Sequence, residues 1–431
     1  MTIVLFTVNF TTMSENIQYI YRSLSTLLPK ETERKLVLIT GARQTGKTTL
    51  AKKVYQHLRY INFDSPEIRQ TVKNISTEDW AKDIGTAILD EAQKEPLVFE
   101  KIKYSYDEQS LTFSVILGSS QILLLKKIRE SLAGRIWIYE LWPLMQSELV
   151  NITSWNVPLF IKILESDTLD ALLQQQPTVI VGQQMSNCKK AENYILQWGG
   201  MPALIHIYQN NEKHQWLKNY IYTYLERDLS DLARLQDLEP FEKFQKLSAL
   251  RCSSLLNYSE LSRDAGISVD TARRYLEYLK LSYQVILLQP YMENITSSTV
   301  KTPKIYWIDN GIMRQLTGYT SDTVTGQLYE NHVISEMHKC IKTLQKPASL
   351  YFYRTRSGLE VDVVIETAKG LIFCEIKNRE EIVKSDFTAI KSIAQKLGKK
   401  FLGGLIIYRG ERLYQLSHPS MWAIPSWRLF T

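Results

Sequence analysis

Hydrophobic positions along this chain change their spacing repeatedly, and each spacing predicts a different kind of element. Lys35–Thr40 (KLVLIT) is a β-branched, apolar run that stops at Gly41, and helical spacing begins just after Lys47, which predicts a strand, a glycine loop and a helix in that order. Similar buried-strand runs recur at 86–89 (TAIL) and 112–117 (TFSVIL), separated by polar and helical stretches. That rhythm belongs to a parallel sheet covered on both faces. From 189 to 250 the period turns helical, and the aromatics there (Trp198, Tyr208, Trp216, Tyr220, Tyr222, Tyr224) read as packing positions rather than a platform for bases. Residues 259–265 and 270–281 then predict two helices about a Gly266-Ile267-Ser268 turn, with an apolar strand at 285–288 behind them, the outline of a helix-turn-helix with a wing. The remaining stretch returns to mixed α and β, and at its centre 359–366 and 371–377 alternate about Thr367-Ala368-Lys369-Gly370, predicting a hairpin.

Composition narrows the class. A length of 431 residues favours two to four domains, and 44% hydrophobic with 23% charged residues excludes a disordered chain or a fibrous rod. The formal charge of +7 permits a polyanionic partner without demanding one. Cys188, Cys252, Cys340 and Cys374 stand far apart, so neither a zinc cluster nor a disulfide framework is expected, and a reducing, cytoplasmic location suits them. No apolar run reaches the roughly 18 to 20 residues of a membrane span, so no membrane association is expected.

Candidate chemistry begins at the first glycine loop. Gly41-Ala42-Arg43-Gln44-Thr45-Gly46-Lys47-Thr48 fills G-x-x-x-x-G-K-[ST] between a strand and a helix, with Thr49 following. Backbone N–H groups of such a loop turn toward phosphate oxygens and the helix dipole adds to the attraction. Lys47 would hold the β- and γ-phosphates and Thr48 a magnesium ion, making ATP and Mg2+ the expected cofactors. Ala87-Ile88-Leu89-Asp90-Glu91 is an apolar strand ending in two acids, Asp90 for the magnesium shell and Glu91 to orient or deprotonate water. A glycine-rich turn with an incidental lysine, or a merely polar strand end, is the plainer alternative for each motif alone. Ser119 is the sensor candidate at the end of 112–117; Ser120 and a simple strand-end cap stay open beside it. Arg135 would stabilise phosphoryl charge in its own subunit or a neighbour's, with a surface arginine as the alternative.

The motifs GARQTGKTTL at 41–50, LDEAQ at 89–93, GSSQ at 118–121, SLAGR at 131–135, WGGMP at 198–202 and YLERDL at 224–229 stand in one order. In them the chain resembles prokaryotic AAA-like P-loop ATPases with a C-terminal domain of unknown function. That resemblance implies the usual ATPase roles for Lys47, Thr48, Asp90 and Glu91, and matches Arg135 and Asp228 to positions of unsettled task. It continues through 256–279 (LNYSELSRDAGISVDTARRYLEYL) and 301–312 (KTPKIYWIDNGI).

In the helix-turn-helix, Arg273 and Arg274 are candidate nucleic-acid contacts, since arginine forks suit phosphates and guanine edges alike; a protein partner for the same element is the alternative. In the hairpin, a two-residue loop at Ala368-Lys369 makes paired positions sum to 737, so Asp362 faces Glu375 and Glu360 faces Lys377 on one face, with Val361, Val363, Ile365, Ile372, Cys374 and Ile376 on the other. Opposed carboxylates repel unless a cation lies between them. A second Mg2+ or Mn2+ would answer that, with Lys377 near the attacking water and Glu330 completing the shell. Asp362 with Glu375-Ile376-Lys377 resembles the restriction-endonuclease-like pattern, and an exposed charged face is the alternative. Arg354 and Arg356 are candidate phosphate contacts.

The expected fold class is α/β: 1–12 a disordered or extension segment ahead of a plausible start at Met13, 13–185 an AAA-like P-loop domain, 186–245 a helical connection, 246–300 a winged helix and 301–431 a restriction-endonuclease-like α/β domain. The expected function is an ATPase that couples hydrolysis to a C-terminal module acting on nucleic acid, with a homo-oligomer compatible. The alternative is a nucleotide-controlled regulatory or scaffold protein whose nuclease-like domain has no turnover. A small-molecule kinase fits less well, because Glu91 is poised for water rather than a metabolite hydroxyl.

Overall fold

The computed structural model describes residues 19–118, 128, 131–150, 153–233, 238–291, 301–355, 358–416 and 420–431, with the side chains of 224–233 and 399 excepted. Ser119, Ser120, Arg356, the side chain of Asp228 and the segment around Met13 lie outside the described residues.

Strands β1 (Lys35–Thr40), β2 (Arg59–Asn62), β3 (Ala87–Asp90), β4 (Phe113–Gly118) and β5 (Ile136–Glu140) form a parallel sheet in the order β2-β3-β4-β1-β5. Alternate residues of each strand enter opposite cores. Leu36, Leu38, Leu89 and Ile116 pack with Trp80, Phe99 and Ile102 on one face; Val37, Ile39, Ile88 and Leu117 pack with Leu50, Ala51 and Tyr55 on the other. Burial on both faces is why these strands read as continuous apolar runs. Each such side chain contributes about 1.5–3 kcal/mol relative to exposure. Because the strands are parallel, the loop after Thr40 and the acid pair after Leu89 open on the same edge, Asp90 pairing with Leu117 and Thr40 with Gly118.

Helices Gln146–Val150, Leu159–Glu165, Gly182–Trp198, Asn210–Ala233 and Glu239–Leu250 follow. Trp198 and Tyr220 are buried as the pattern predicted, and Trp216 stacks on Tyr220 at 5.3 Å. Tyr208 and Tyr222 instead stand exposed. The glycine break after Trp198 is a junction: a Cβ on Gly200 would come 2.3 Å from the Leu144 carbonyl oxygen, and one on Gly311 would come 2.0 Å from that of Trp198. Asp309 locks it, accepting from the Gly200 N–H at 2.7 Å and capping helix Asn310–Thr317 through the Ile312 N–H at 3.0 Å. Two of the sequence motifs, at 198–202 and 301–312, thus meet in one contact.

Helices Tyr258–Ala265 and Val269–Leu281 are capped by Asn257 and Ser268 and separated by Gly266 in the left-handed region, as the turn requires. The hairpin behind them, β6 (Val285–Pro290) and β7 (Lys304–Trp307), does not stand apart as a free wing. It joins an eight-stranded sheet in the order β12-β13-β11-β10-β9-β8-β6-β7. The other members are β8 (Ala348–Arg354), β9 (Glu360–Thr367), β10 (Gly370–Lys377), β11 (Phe401–Tyr408), β12 (Tyr414–Gln415) and β13 (Met421–Pro425), with β6 pairing β8 in parallel.

The observed β9–β10 register, Thr367 with Gly370 through Val363 with Cys374, is the predicted one. The assignment of faces needs correction at Val361. Tyr351 pairs with Val364 but Tyr353 with Val361, so β9 carries one extra residue there; the bulge inverts the alternation and sends Val361 to the face opposite Val363. The β9–β10 ladder ends at Val363 with Cys374, short of the expected Asp362–Glu375 and Glu360–Lys377 pairs, and on the other edge of β9 Glu360 pairs with Arg354. The second face is not simply a charged surface either: Val364, Leu371 and Phe373 are buried with Ile390 and Ile393 of helix Thr388–Leu397, while helix Gly326–Thr343 covers the first.

Candidate functional site

The loop between β1 and helix Lys47–Val54 takes the shape its sequence demands. Gly46 has φ 92° and Gln44 φ 60°, backbone that curls the loop around its own interior. Thr45 Oγ1 donates to the Ala42 carbonyl at 2.9 Å, and Lys47 Nζ folds back to donate to the carbonyls of Gly41 (3.0 Å) and Ala42 (2.7 Å). The ammonium thus sits where the loop closes, buried to all but 8% of its residue surface. Arg43 is half-buried, while Gln44 and Thr49 are exposed on the rim.

The residues expected to share a cation are together. Thr48 Oγ1 donates to Asp90 Oδ2 at 2.7 Å, and Tyr60 donates to the same oxygen at 2.8 Å. A hydroxyl and a carboxylate oxygen side by side are the hard donors that Mg2+ takes, so this pair fits the ion. Glu91 follows in the left-handed region (φ 55°, ψ 36°), a conformation uncommon outside glycine, and Gln93 Nε2 donates to its carboxylate. The turn aims Glu91 out of the strand line at the loop-bearing edge of the sheet.

Arg135 is not brought there. It directly precedes β5, level with the start of β1, which puts it five strand residues, about 16 Å at roughly 3.3 Å per residue, from the phosphate-loop edge. Its guanidinium forks onto Asp107, Nε to Oδ1 at 2.6 Å and Nη2 to Oδ2 at 2.9 Å. The sequence gives no sign of that partner, which closes the end of helix Leu97–Asp107.

Sequence reasoning missed the arginine that does reach the loop. Arg22, 5% exposed, donates to the Thr45 carbonyl (2.7 Å), the Trp142 carbonyl (2.6 Å) and Glu148 Oε2 (3.1 Å). Glu148 in turn accepts from the Ser23 N–H and hydroxyl (both 2.8 Å) and the Met145 N–H (3.0 Å). The available signal was a single charge within each of two apolar stretches, 19–28 and 141–150. Two tyrosines from beyond the first sheet also arrive: Tyr220 donates to the Arg43 carbonyl and Tyr283 to Thr40 Oγ1, each at 3.3 Å.

In the helix-turn-helix, Arg273 and Arg274 share the exposed face of helix Val269–Leu281; Arg273 lies 3.6 Å from Asp270 and over the Tyr258 ring at 5.5 Å, and Arg274 donates to Thr271 at 3.5 Å. Around the C-terminal hairpin the structure gathers more than was expected. Asp362 accepts from the Ile376 N–H at 2.8 Å, and Lys377 reaches Glu375 at 2.6 Å and Asp362 at 3.8 Å. Lys304 from β7 lies 2.7 Å from Glu360 and 3.6 Å from Glu330, whose Oε1 also accepts from Tyr306 at 2.6 Å. Arg354 contacts the far oxygen of Glu360 at 3.3 Å. Burial, then the neighbouring Asp362, pushes the Glu375 carboxyl up to about 8 and that of Glu330 to about 7. Burial alone would lower Lys304 and Lys377, but the surrounding acids outweigh it and hold both above the ordinary lysine value. Among the described residues no group of three or more His, Cys, Asp or Glu side chains is disposed to hold a metal ion, and nothing in this arrangement supports the expected second ion. The cations between these carboxylates are lysines.

With the geometry in place, comparison with known proteins separates the parts. Residues 33–150 match the family described as AAA domain. Over this part the chain is similar to P-loop ATPases of that family. Residues 189–323 match a domain of unknown function (DUF8612) and 325–429 another (DUF4143). An uncharacterized protein of Mycobacterium tuberculosis is 27% identical over 405 residues, covering 92% of this chain and 81% of that protein. One of Methanocaldococcus jannaschii is 24% identical over 387 residues, covering 83% and 79%. Among solved structures, the Walker-type ATPase of Pyrococcus abyssi aligns with TM-score 0.40 at 16% identity, over 66% of this chain and 91% of that one. No helix among the described residues is long and apolar enough to cross a membrane.

Proposed function

We propose that the chain is a magnesium-dependent ATPase whose nucleotide state is passed to a C-terminal module that engages nucleic acid. The observation that carries the first half is the convergence of Lys47, Thr48, Asp90 and Glu91 on one sheet edge. Bound magnesium would supply charge neutralisation at the phosphates, held by Thr48 and Asp90. Lys47 would exchange the Gly41 and Ala42 carbonyls for phosphate oxygens, and Glu91 would take a proton from the attacking water. The second half is supported by the Tyr220 and Tyr283 contacts to the loop, and by two arginines presented on one exposed helix face.

The regulatory reading, in which the C-terminal domain has no nuclease turnover, is favoured over phosphodiester cleavage by Lys304, an ammonium seated between Glu330 and Glu360 that the nuclease-like pattern does not include. The experiment is ATP hydrolysis with and without duplex DNA, single-stranded DNA and RNA. Stimulation by one of them identifies the partner, and no response to any removes the nucleic-acid half. Lys47→Ala abolishes nucleotide binding, whereas Glu91→Gln keeps ATP bound and lowers turnover by about 10²–10⁴. Wild-type hydrolysis in both variants would overturn the site.

A further inference from the structure

The Thr48–Asp90 pair at the phosphate loop is held by a residue that neither sequence motif contains. Tyr60 lies on β2, the edge strand of the first sheet, in register with Ile88, two residues ahead of Asp90 in β3. Its half-buried ring packs against the cluster of Val37, Ile39, Leu50 and Ala51, and the Lys52 ammonium of helix Lys47–Val54 lies over it at 3.5 Å. The ring is thus gripped between sheet and helix. Its hydroxyl donates to Asp90 Oδ2 at 2.8 Å, the same oxygen that accepts from Thr48 Oγ1 at 2.7 Å.

Two donors fill what that oxygen offers, since each oxygen of an ionised carboxyl has about two lone-pair sites. No described residue donates to Oδ1, which leaves that oxygen for the ion or for a water of its shell. The direction Oδ1 faces is set by the last torsion of the aspartate side chain, and torsions of that kind have broad wells. Thr48 cannot fix it independently, because its own hydroxyl oxygen is expected at the same ion. Tyr60 can, because it comes from a different strand and stands outside the nucleotide loop.

We propose that Tyr60 is a positioning residue of the magnesium site: its hydroxyl pins the Asp90 carboxylate so that Thr48 and the free carboxylate oxygen meet the ion together. This rests on the ATPase reading above. Outer-shell donors to metal-site carboxylates typically change metal affinity by about 10–100-fold, and magnesium is sensitive to placement because it demands near-ideal octahedral geometry. The direction of the effect separates positioning from charge. Removing a neutral donor leaves the carboxylate's charge whole, so electrostatics alone gives unchanged or tighter ion binding when the hydroxyl is lost. Pinning gives weaker binding.

The test is calorimetry of a non-hydrolysable ATP analogue on the full chain, first in EDTA and then across a magnesium titration. Tyr60→Phe keeps the ring between sheet and helix and removes only the hydroxyl. The expected result is equal affinity for the analogue in EDTA, with the magnesium concentration at half-maximal enhancement of binding about tenfold higher in Tyr60→Phe than in the unsubstituted chain. A midpoint unmoved or lowered, or a loss of affinity that is the same in EDTA as in magnesium, overturns the positioning role and leaves the ATPase reading standing. An unsubstituted chain that binds no analogue, or binds it without regard to magnesium, overturns that reading and the positioning role with it.

Discussion

Replacing Arg22 by methionine tests whether the phosphate loop is held from behind. The side chain makes three hydrogen bonds in a site that is 5% exposed, two to loop carbonyls and one to Glu148, itself fully buried. Hydrogen bonds involving a charged group contribute about 1.5–3 kcal/mol each, but they share one desolvation cost and do not add. The better guide is removal of one member of a buried pair, which destabilises by about 3–5 kcal/mol because the other charge stays behind. Here that charge is softened by three donors from Ser23 and Met145, which places the expectation for Arg22→Met at the lower end, about 3 kcal/mol.

The assay is urea unfolding read through tryptophan fluorescence, with Trp142 adjacent to the broken contact, run as a double-mutant cycle with Glu148→Gln. Groups in one network couple by about 0.5–3 kcal/mol, and a coupling near 2 kcal/mol is expected for this pair. Titration of a fluorescent ATP analogue gives a second readout: with the Thr45 carbonyl released, affinity should fall about tenfold, the equivalent of about 1.4 kcal/mol of loop ordering. A loss of stability below about 1 kcal/mol, or strictly additive single variants, would refute the reasoning, since neither is compatible with a desolvated pair.

Other consequences are as direct. Arg135→Ala should leave basal ATP turnover within twofold, because the residue pairs with Asp107 at the opposite end of the strands; a large loss measured at a dilution that excludes assembly would put it back at the phosphates. Burial pushes the carboxyl of Glu192 to about 7 from 4.5, so the unfolded chain releases a proton that the folded one keeps. The Glu192 share of stability should therefore fall between about pH 4.5 and 7, by about 3 kcal/mol at most; the same pH series on Glu192→Gln should show a fall smaller by that share, with the raised carboxyls of Glu330 and Glu375 still contributing theirs. Gly311→Ala forces a Cβ onto the Trp198 carbonyl and should lower stability by about 3 kcal/mol or more, whereas Gly318→Ala, in open space but at φ 70°, should cost only about 1 kcal/mol in the same unfolding measurement.

What the sequence made legible follows from how local each feature is. The phosphate loop, the Asp90-Glu91 strand end and the hairpin register were readable because each is set within about a dozen residues by glycine placement or two-residue alternation. The face of Val361 was not, because the extra residue in β9 is defined only against β8. Nor was the fate of the wing, since pairing of β6 with β8 joins segments some sixty residues apart that no periodicity links. Arg22 and Lys304 were missed, and the partner of Arg135 with them, for one reason: the residue each pairs with, Glu148, Glu360 and Asp107, is brought near only by the finished fold.

The same long-range contacts bear on how a nucleotide could be felt at a distance. Thr40, the last residue before the loop, is hydrogen-bonded by Tyr283, which immediately precedes β6 by two residues and packs edge-on against Trp142 at 4.9 Å. Strand β6 pairs β7, and β7 carries Lys304 into the carboxylates around Glu330 and Glu360. On the other side Leu144, just past β5, donates its N–H to the Gly200 carbonyl in the glycine junction closed by Asp309. A shift at the end of β1 thus meets two connections, one hydrogen-bonded through a tyrosine hydroxyl and one packed without room for a methyl group. If nucleotide binding biases the C-terminal domain, the tyrosine connection is the one able to yield, because a 3.3 Å hydroxyl contact can break without displacing backbone while the glycine junction cannot. Tyr283→Phe, which keeps the ring against Trp142 and removes only the hydroxyl, should then leave ATP hydrolysis within twofold and abolish its response to nucleic acid; an unchanged response would locate the coupling elsewhere.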